Sequence, residues 1–174
     1  MKKLIIFLSL ITILSSCKTL TPFTETIRQK NNLTLQDLKN IQFYTSNDIL
    51  LNREISGSKN QIISGKIKTV NNRQIEEIFI PINTACLVVD TTENDRIKLS
   101  FSDNDEKSLT FGVNQNTTRY VLLAESWNGK EGTVHYGSDT YITKGFSYDT
   151  YLLVNMKELL KIKRKFKIEK GRKL

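Results

Sequence analysis

The feature that most limits what this chain can fold into is the spacing of its apolar stretches. From Ile41 onward, short runs of β-branched, aromatic and aliphatic residues alternate with clusters of Asn, Asp, Gly and Ser. The predicted strands are Ile41 to Thr45, Ile49 to Ile55, Gln61 to Val70, Gln74 to Ile82, Ala85 to Asp90 and Arg96 to Ser102. They continue with Ser108 to Val113, Arg119 to Glu125, Thr133 to Tyr136, Thr140 to Thr143, Tyr151 to Met156 and Ile162 to Ile168. Such runs suit a pleated, half-buried surface. The clusters between them, among them Asn71-Asn72, Glu93-Asn94-Asp95, Asp103-Asn104-Asp105, Asn128-Gly129 and Gly137-Ser138-Asp139, carry turn chemistry. No long helical period follows Ile41, so the expected class is all-β: an antiparallel sandwich or one or two small barrels. One short N-terminal helix is predicted before it, with Thr34 as cap and Asp37 in the first turn.

Ile78 to Val89 reads as strand, Pro-containing bend and strand, and Asp95 to Phe101 then alternates apolar and polar residues. This meander resembles SH3-like small barrels, a likeness that carries no functional motif. An internal echo accompanies it. Leu87-Val88-Val89-Asp90 and Leu152-Leu153-Val154-Asn155 are 65 residues apart, and Ile97-Lys98 with Phe101 has the same offset from Ile162-Lys163 with Phe166. Gly65-x-Ile67 and Gly132-x-Val134 sit at a similar separation. Two SH3-like halves would explain the echo; chance likeness between hairpins is the alternative.

The first residues carry a different message. Lys2 and Lys3 precede an apolar run from Leu4 to Leu14, and Ser15 and Ser16 follow, which is the layout of a secretory signal. The run is too short for a permanent span, which needs roughly 20 residues. Leu14-Ser15-Ser16-Cys17 resembles the lipobox of bacterial lipoproteins. That resemblance implies diacylglyceryl modification of the Cys17 thiol, cleavage before Cys17 and acylation of the new amine; two or three acyl chains hold a protein where one does not. Family members with Asp after the cysteine tend to stay in the inner membrane, whereas this chain has Lys18. No acidic residue appears before Glu25, so the implied address is the outer membrane, facing the periplasm. The expected organisation is a signal at 1–16, a lipidated cysteine and flexible tether at 17–33, and a β-rich domain at 34–174. The tether reading rests on polar residues and on Pro22, which interrupts any helix.

With 174 residues the chain is long enough to bury a core without disulfides. If Cys17 carries lipid, the other cysteine, Cys86, has no partner; its apolar neighbours Thr84 to Val89 predict a buried, unreactive thiol. The net charge is +8, and Lys2 and Lys3 would leave with the signal. The anionic partners such a secreted chain meets are anionic lipid, lipopolysaccharide or an envelope protein, and not nucleic acid.

The residues offer little chemistry. His135 is the only histidine, and there is no Gly-x-Ser-x-Gly elbow, Walker loop or dinucleotide fingerprint. No metal site and no cofactor beyond the covalent lipid is expected. Glu76 and Glu77 are adjacent, so on a strand they point to opposite faces. Asp103-x-Asp105-Glu106 lacks the Gly and distal Glu of a calcium loop. Trp127, Tyr136, Tyr141, Phe146, Tyr148 and Tyr151 crowd one region, mostly as expected core. Trp127, in what reads as a turn, is the candidate for an exposed binding ring. Near the C-terminus, Lys161, Lys163, Lys165 and Lys167 alternate with Leu160, Ile162, Arg164, Phe166 and Ile168. As a strand this puts four lysines on one face, fit for edge protection or anionic lipid. The expected role is a lipid-anchored envelope protein that binds or supports without catalysis. A subunit of an envelope assembly or secretion complex and a small periplasmic hydrolase remain as alternatives.

Overall fold

Alternating strands joined by tight turns assemble here into two antiparallel sheets. The computed structural model describes residues 19–55, 66–70, 73–92 and 95–166. Cys17, Asn71-Asn72 and Lys167 lie outside these residues. The strands are β1 (Leu20–Pro22), β2 (Gln42–Thr45), β3 (Ile49–Ile55), β4 (Lys66–Val70), β5 (Arg73–Ile80), β6 (Ala85–Thr92) and β7 (Arg96–Ser100). They continue as β8 (Ser108–Val113), β9 (Tyr120–Leu122), β10 (Ser126–Asn128), β11 (Glu131–Tyr136), β12 (Asp139–Lys144) and β13 (Leu152–Asn155). One sheet runs β1-β13-β2-β6-β7-β8-β9 and the other β10-β11-β12-β3-β5-β4. The expected all-β class holds, in sandwich-like form.

Period-two alternation builds the core. Cys86 and Val88 point inward from β6 while Leu87 points out; Ile78 and Ile80 do the same on β5 around outward Phe79. Both sheets contribute to one hydrophobic cluster, with Phe43, Phe111 and Tyr120 from the first and Leu51, Val134 and Tyr141 from the second. The seven-stranded sheet curls toward itself. Its last strand reaches back through single bridges, Val121 to Tyr151 and Arg119 to Thr24, and the Tyr120 amide donates to the Phe23 carbonyl at 3.2 Å. It stops short of a closed barrel.

Several expectations need correction. The two sheets do not divide the chain into halves, because each draws strands from early and late sequence. The residues read as an SH3-like meander lie in both sheets, β5 in one and β6–β7 in the other, which does not bear on that likeness. The 65-residue echo is followed only in part: Leu87–Asp90 and Leu152–Asn155 both lie on strands, Ile97-Lys98 lies on a strand but Ile162-Lys163 on a helix, and Gly65 is outside the described residues.

Among the described residues, the single short N-terminal helix is one of two. Helix α1 (Glu25–Lys30) precedes α2 (Leu35–Leu38), which has the expected capping box: Asp37 N–H donates to Thr34 Oγ1, and Thr34 N–H donates to Asp37 Oδ2. The tether reading fails from Leu20 onward. β1 pairs with β13, and Phe23 and Leu33 are buried in the core. Pro22 is tolerated because β1 is an edge strand.

The largest correction concerns the C-terminus. Leu160 to Ile168 was expected to be a strand, but helix α3 spans Met156–Phe166. Asn155 Oδ1 accepts the Lys157 amide at 3.0 Å, as an N-cap does. Leu159 is fully buried, with Met156 and Ile162 partly buried, so the core face follows a helical spacing. A row of lysines on one strand face therefore does not form at Lys161, Lys163 and Lys165.

Strand direction defines two ends of the first sheet. Leu20, opening β1, faces Asn155, closing β13. Each neighbouring pair is antiparallel through β2, β6 and β7. Thr84, just before β6, and Phe101, just after β7, therefore lie at the opposite end from Leu20 and α3.

Candidate binding cleft

The end marked by Thr84 and Phe101 carries a broad concavity. A corner and a loop build it. At the corner after β5, the Pro81 carbonyl accepts hydrogen bonds from Thr45 Oγ1 at 3.0 Å and Thr84 Oγ1 at 2.6 Å. Asn83 takes a left-handed φ of 61°, which Asn tolerates better than most residues. The Ile82 amide donates to Asp48 Oδ1 at 2.7 Å. The loop after β7 is gathered around the buried Ser100 hydroxyl, which lies 2.9 Å from the Ser102 carbonyl and 3.0 Å from that of Asn104.

Between them opens a cleft of about 530 Å³, lined by Ile78, Phe79, Ile80, Pro81, Thr84, Phe101, Ser102, Asn104, Lys107 and Tyr136. Its wall is mainly apolar, and Phe79 is 56 % exposed. Asn104, Lys107 and Tyr136 also wall a smaller pocket of about 110 Å³, completed by Glu106, Gly137, Ser138, Asp139 and Tyr141. Gly137 turns the chain there with a φ of 68°. Tyr136 stands between the two spaces. Its ring meets that of Tyr141 edge-on at 6.3 Å, and its hydroxyl is engaged with Ser102. Burial raises the Tyr136 phenol above its ordinary pKa, against the opposing pull of that hydrogen bond.

Beyond the smaller pocket lies a charged cluster. Glu76 is 1 % exposed and shares the inward face of Ile78 and Ile80. Arg53, its register partner on β3, donates from Nε to Glu76 Oε2 at 2.6 Å. The Tyr141 hydroxyl donates to the same oxygen at 3.1 Å, and Arg53 also pairs with Asp139. The Arg53 guanidinium sits 5.3 Å from the centre of the Tyr141 ring. Burial, first, and then the Glu76 charge push the Tyr141 phenol well above its usual range. Asp139 and Tyr141 thus connect a buried ion pair to the polar end of an apolar cleft. Such a site can take an amphipathic molecule or an aromatic side chain of a partner.

The residues singled out in the sequence are not brought together here. Trp127 is 40 % exposed, but on edge strand β10 and not in a turn; the reversal follows at Gly129. Its ring covers Gly132, where an added Cβ would come within 2.6 Å of it. His135 is on the exposed side of β11, with Nε2 2.7 Å from Glu125 Oε1 and Nδ1 3.3 Å from Thr140 Oγ1. An acid and a hydroxyl therefore flank it on an open face, and it lines neither pocket of the cleft. Glu76 and Glu77 do point to opposite faces. Cys86 is buried and unpaired, and burial pushes its thiol far above the ordinary value. Lys161 is exposed on α3 and bonds Glu158 at 2.9 Å. Asp103, Asp105 and Glu106 are exposed, and among the described residues no cluster of three His, Cys, Asp or Glu side chains could hold a metal ion.

Sequence reasoning missed Arg53, Asp139 and the cleft residues from Phe79 to Lys107. One signal was legible: Glu76 occupies an inward phase that its neighbours fill with isoleucine, so it requires a buried partner. Comparisons with protein-family models, with curated proteins and with solved structures return no match to this chain.

Proposed function

We propose that the protein is a lipid-anchored component of the cell envelope, held in the outer membrane through Cys17, with a non-catalytic binding role in the periplasm. The observation that carries the binding role is the cleft, whose apolar wall ends in the polar pocket of Asp139 and Tyr141. The anchor rests on Leu14-Ser15-Ser16-Cys17. Among the described residues no helix is long and apolar enough to cross a membrane. The open setting of His135 supports a non-catalytic reading over a hydrolase, because acyl-transfer chemistry needs an enclosed site with oxyanion donors beside the histidine.

A role as a subunit of an envelope assembly is the second reading. It is favoured by Phe79, Ile82 and Phe146, which expose half or more of their surface.

Mass spectrometry of the mature N-terminus tests the anchor. The expected species begins at an acylated Cys17, and an unmodified peptide starting elsewhere removes it. A photo-crosslinking side chain at Phe79, compared with one at Trp127, tests the cleft in intact cells. A discrete adduct at Phe79 but not at Trp127 is expected; equal labelling at both positions, or none at Phe79, counts against the cleft.

A further inference from the structure

Helix α3 leaves the fold beside the point where the chain enters it. Leu20 and Asn155 are register partners, and Asn155 caps α3. Cys17 is three residues before Leu20, a reach of about 11 Å at most. With so short a link, whatever surface holds the Cys17 lipid must come up against this end of the sheet.

The helix is chemically suited to such a surface. Between Met156 and Phe166 it carries Lys157, Lys161, Lys163, Arg164 and Lys165 against one acid, Glu158. Leu159 faces the core, while Leu160 stays 42 % exposed between the exposed Lys157 and Lys161. An apolar side chain flanked by lysines is the pattern of helices that lie in the headgroup layer, where basic residues are drawn to an anionic surface.

We propose that α3 lies against the anionic phospholipid surface in which Cys17 is embedded, and that this contact turns the cleft away from the bilayer. The proposal rests on lipidation of Cys17. The orientation follows from strand direction: Thr84 and Phe101, which line the cleft, are at the sheet end opposite Leu20 and α3. The anchor thereby holds the body at the membrane while the cleft opens toward periplasmic partners.

The lipidated full chain offers a direct test, because neither native cysteine should react with a thiol reagent: Cys17 is alkylated and Cys86 is buried. Leu160→Cys, Lys161→Cys and Phe79→Cys, all at exposed positions, take a nitroxide label. The labelled proteins are then reconstituted into phosphatidylglycerol-containing vesicles. Collision with oxygen, relative to a polar nickel chelate, reports membrane contact. The expected ratio is several-fold higher at 160 and 161 than at 79. It should fall at 160 when Lys157 and Lys161 are both replaced by glutamine, or when the vesicles are phosphatidylcholine alone. Lipid on Cys17 by mass spectrometry with equal ratios at 79 and 160 overturns the proposed orientation while leaving the anchor intact. A high ratio at 160 that ignores both lysine replacement and lipid charge overturns the electrostatic contact. Protein that carries no lipid and does not float with vesicles overturns the anchor reading itself.

Discussion

Two clusters in this protein are built from the same four kinds of side chain, a glutamate, an arginine, a tyrosine and an aspartate, but the chain assembles them differently. In the first, Glu25 and Arg28 are three residues apart on α1. Arg28 Nε donates to Glu25 Oε2 at 2.7 Å and Nη2 to Oε1 at 2.8 Å, a two-pronged fork. The buried Tyr120 donates to Glu25 Oε2 at 2.7 Å, and Arg28 reaches Asp95 at 3.4 Å. In the second, Glu76, Arg53, Tyr141 and Asp139 come from three strands. The Glu25 side chain remains 17 % exposed, whereas Glu76 has almost no contact with solvent. The first cluster fastens a local helix to the sheet. The second requires that β12, β3 and β5 already be in register, so it reports on three neighbouring strands of the six-stranded sheet and borders the cleft.

The largest expected effect is at Glu76. Glu76→Ala removes the acceptor of both Arg53 Nε and the Tyr141 hydroxyl in a nearly dry site, and should cost about 3–5 kcal/mol in urea unfolding. Replacing Glu76 and Arg53 together by methionine should recover part of that loss, because the Arg53 charge leaves with its buried partner, while the part-exposed Asp139 and the Tyr141 hydroxyl still lose theirs. Glu25→Ala should cost less, about 2 kcal/mol, mainly for the Tyr120 hydroxyl left without an acceptor. If Glu25→Ala proves as costly as Glu76→Ala, the difference in burial is not what separates the clusters.

Acid sharpens the comparison further. The hydrogen bonds from Arg28 lower the Glu25 carboxyl below its ordinary pKa of 4.5, opposed by partial burial and assisted by Tyr120 and Gln29. A carboxyl with a depressed folded-state pKa binds fewer protons folded than unfolded. Its stabilisation is therefore present above the unfolded value and is lost as pH falls through the folded one. Stability should decline as pH drops below about 4.5, and Glu25→Gln should flatten that decline while lowering stability at neutral pH. Urea midpoints measured through this range decide it. An unchanged acid limb in Glu25→Gln would assign the decline to other carboxyls.

The contrast between local and long-range assembly also explains what the sequence disclosed. Ile49–Ile55 and Ser108–Val113 were predicted with the bounds observed, because alternation and flanking turn residues are local signals. The Thr34–Asp37 capping box was legible for the same reason. β1 was missed because Leu20–Pro22 becomes a strand only by pairing with β13, across most of the chain. α3 was misread because its lysines happen to alternate with apolar residues, while the Asn155 cap and the burial of Leu159 depend on where β13 ends. The cleft draws on the β5–β6 corner, the loop after β7 and the end of β11, and no sequence window contains all three. Glu76, a charge at an apolar phase, is the signal that could have found the second cluster, and it was read only as facing away from Glu77.

The smallest expected effects, in the two tyrosines, give the finest test. Tyr120→Phe removes a 2.7 Å hydrogen bond to Glu25, and Tyr141→Phe removes a 3.1 Å one to Glu76. Burial alone would make the Tyr141 hydroxyl the costlier loss, since its acceptor is the more buried carboxylate. Geometry argues the reverse. Both carboxylates keep bonds from their arginines, so the shorter Tyr120 bond decides, and a phenylalanine at 141 retains the guanidinium beside its ring. Tyr141→Phe should therefore cost about 1 kcal/mol, and Tyr120→Phe somewhat more, about 1.5–2 kcal/mol, because its bond to a charged group is shorter. Double-mutant cycles in urea, Tyr120→Phe with Glu25→Ala and Tyr141→Phe with Glu76→Ala, separate the direct coupling from lost packing. A larger coupling at Tyr141 would mean that exclusion of water outweighs bond length, and that the cluster beside the cleft is held as one unit.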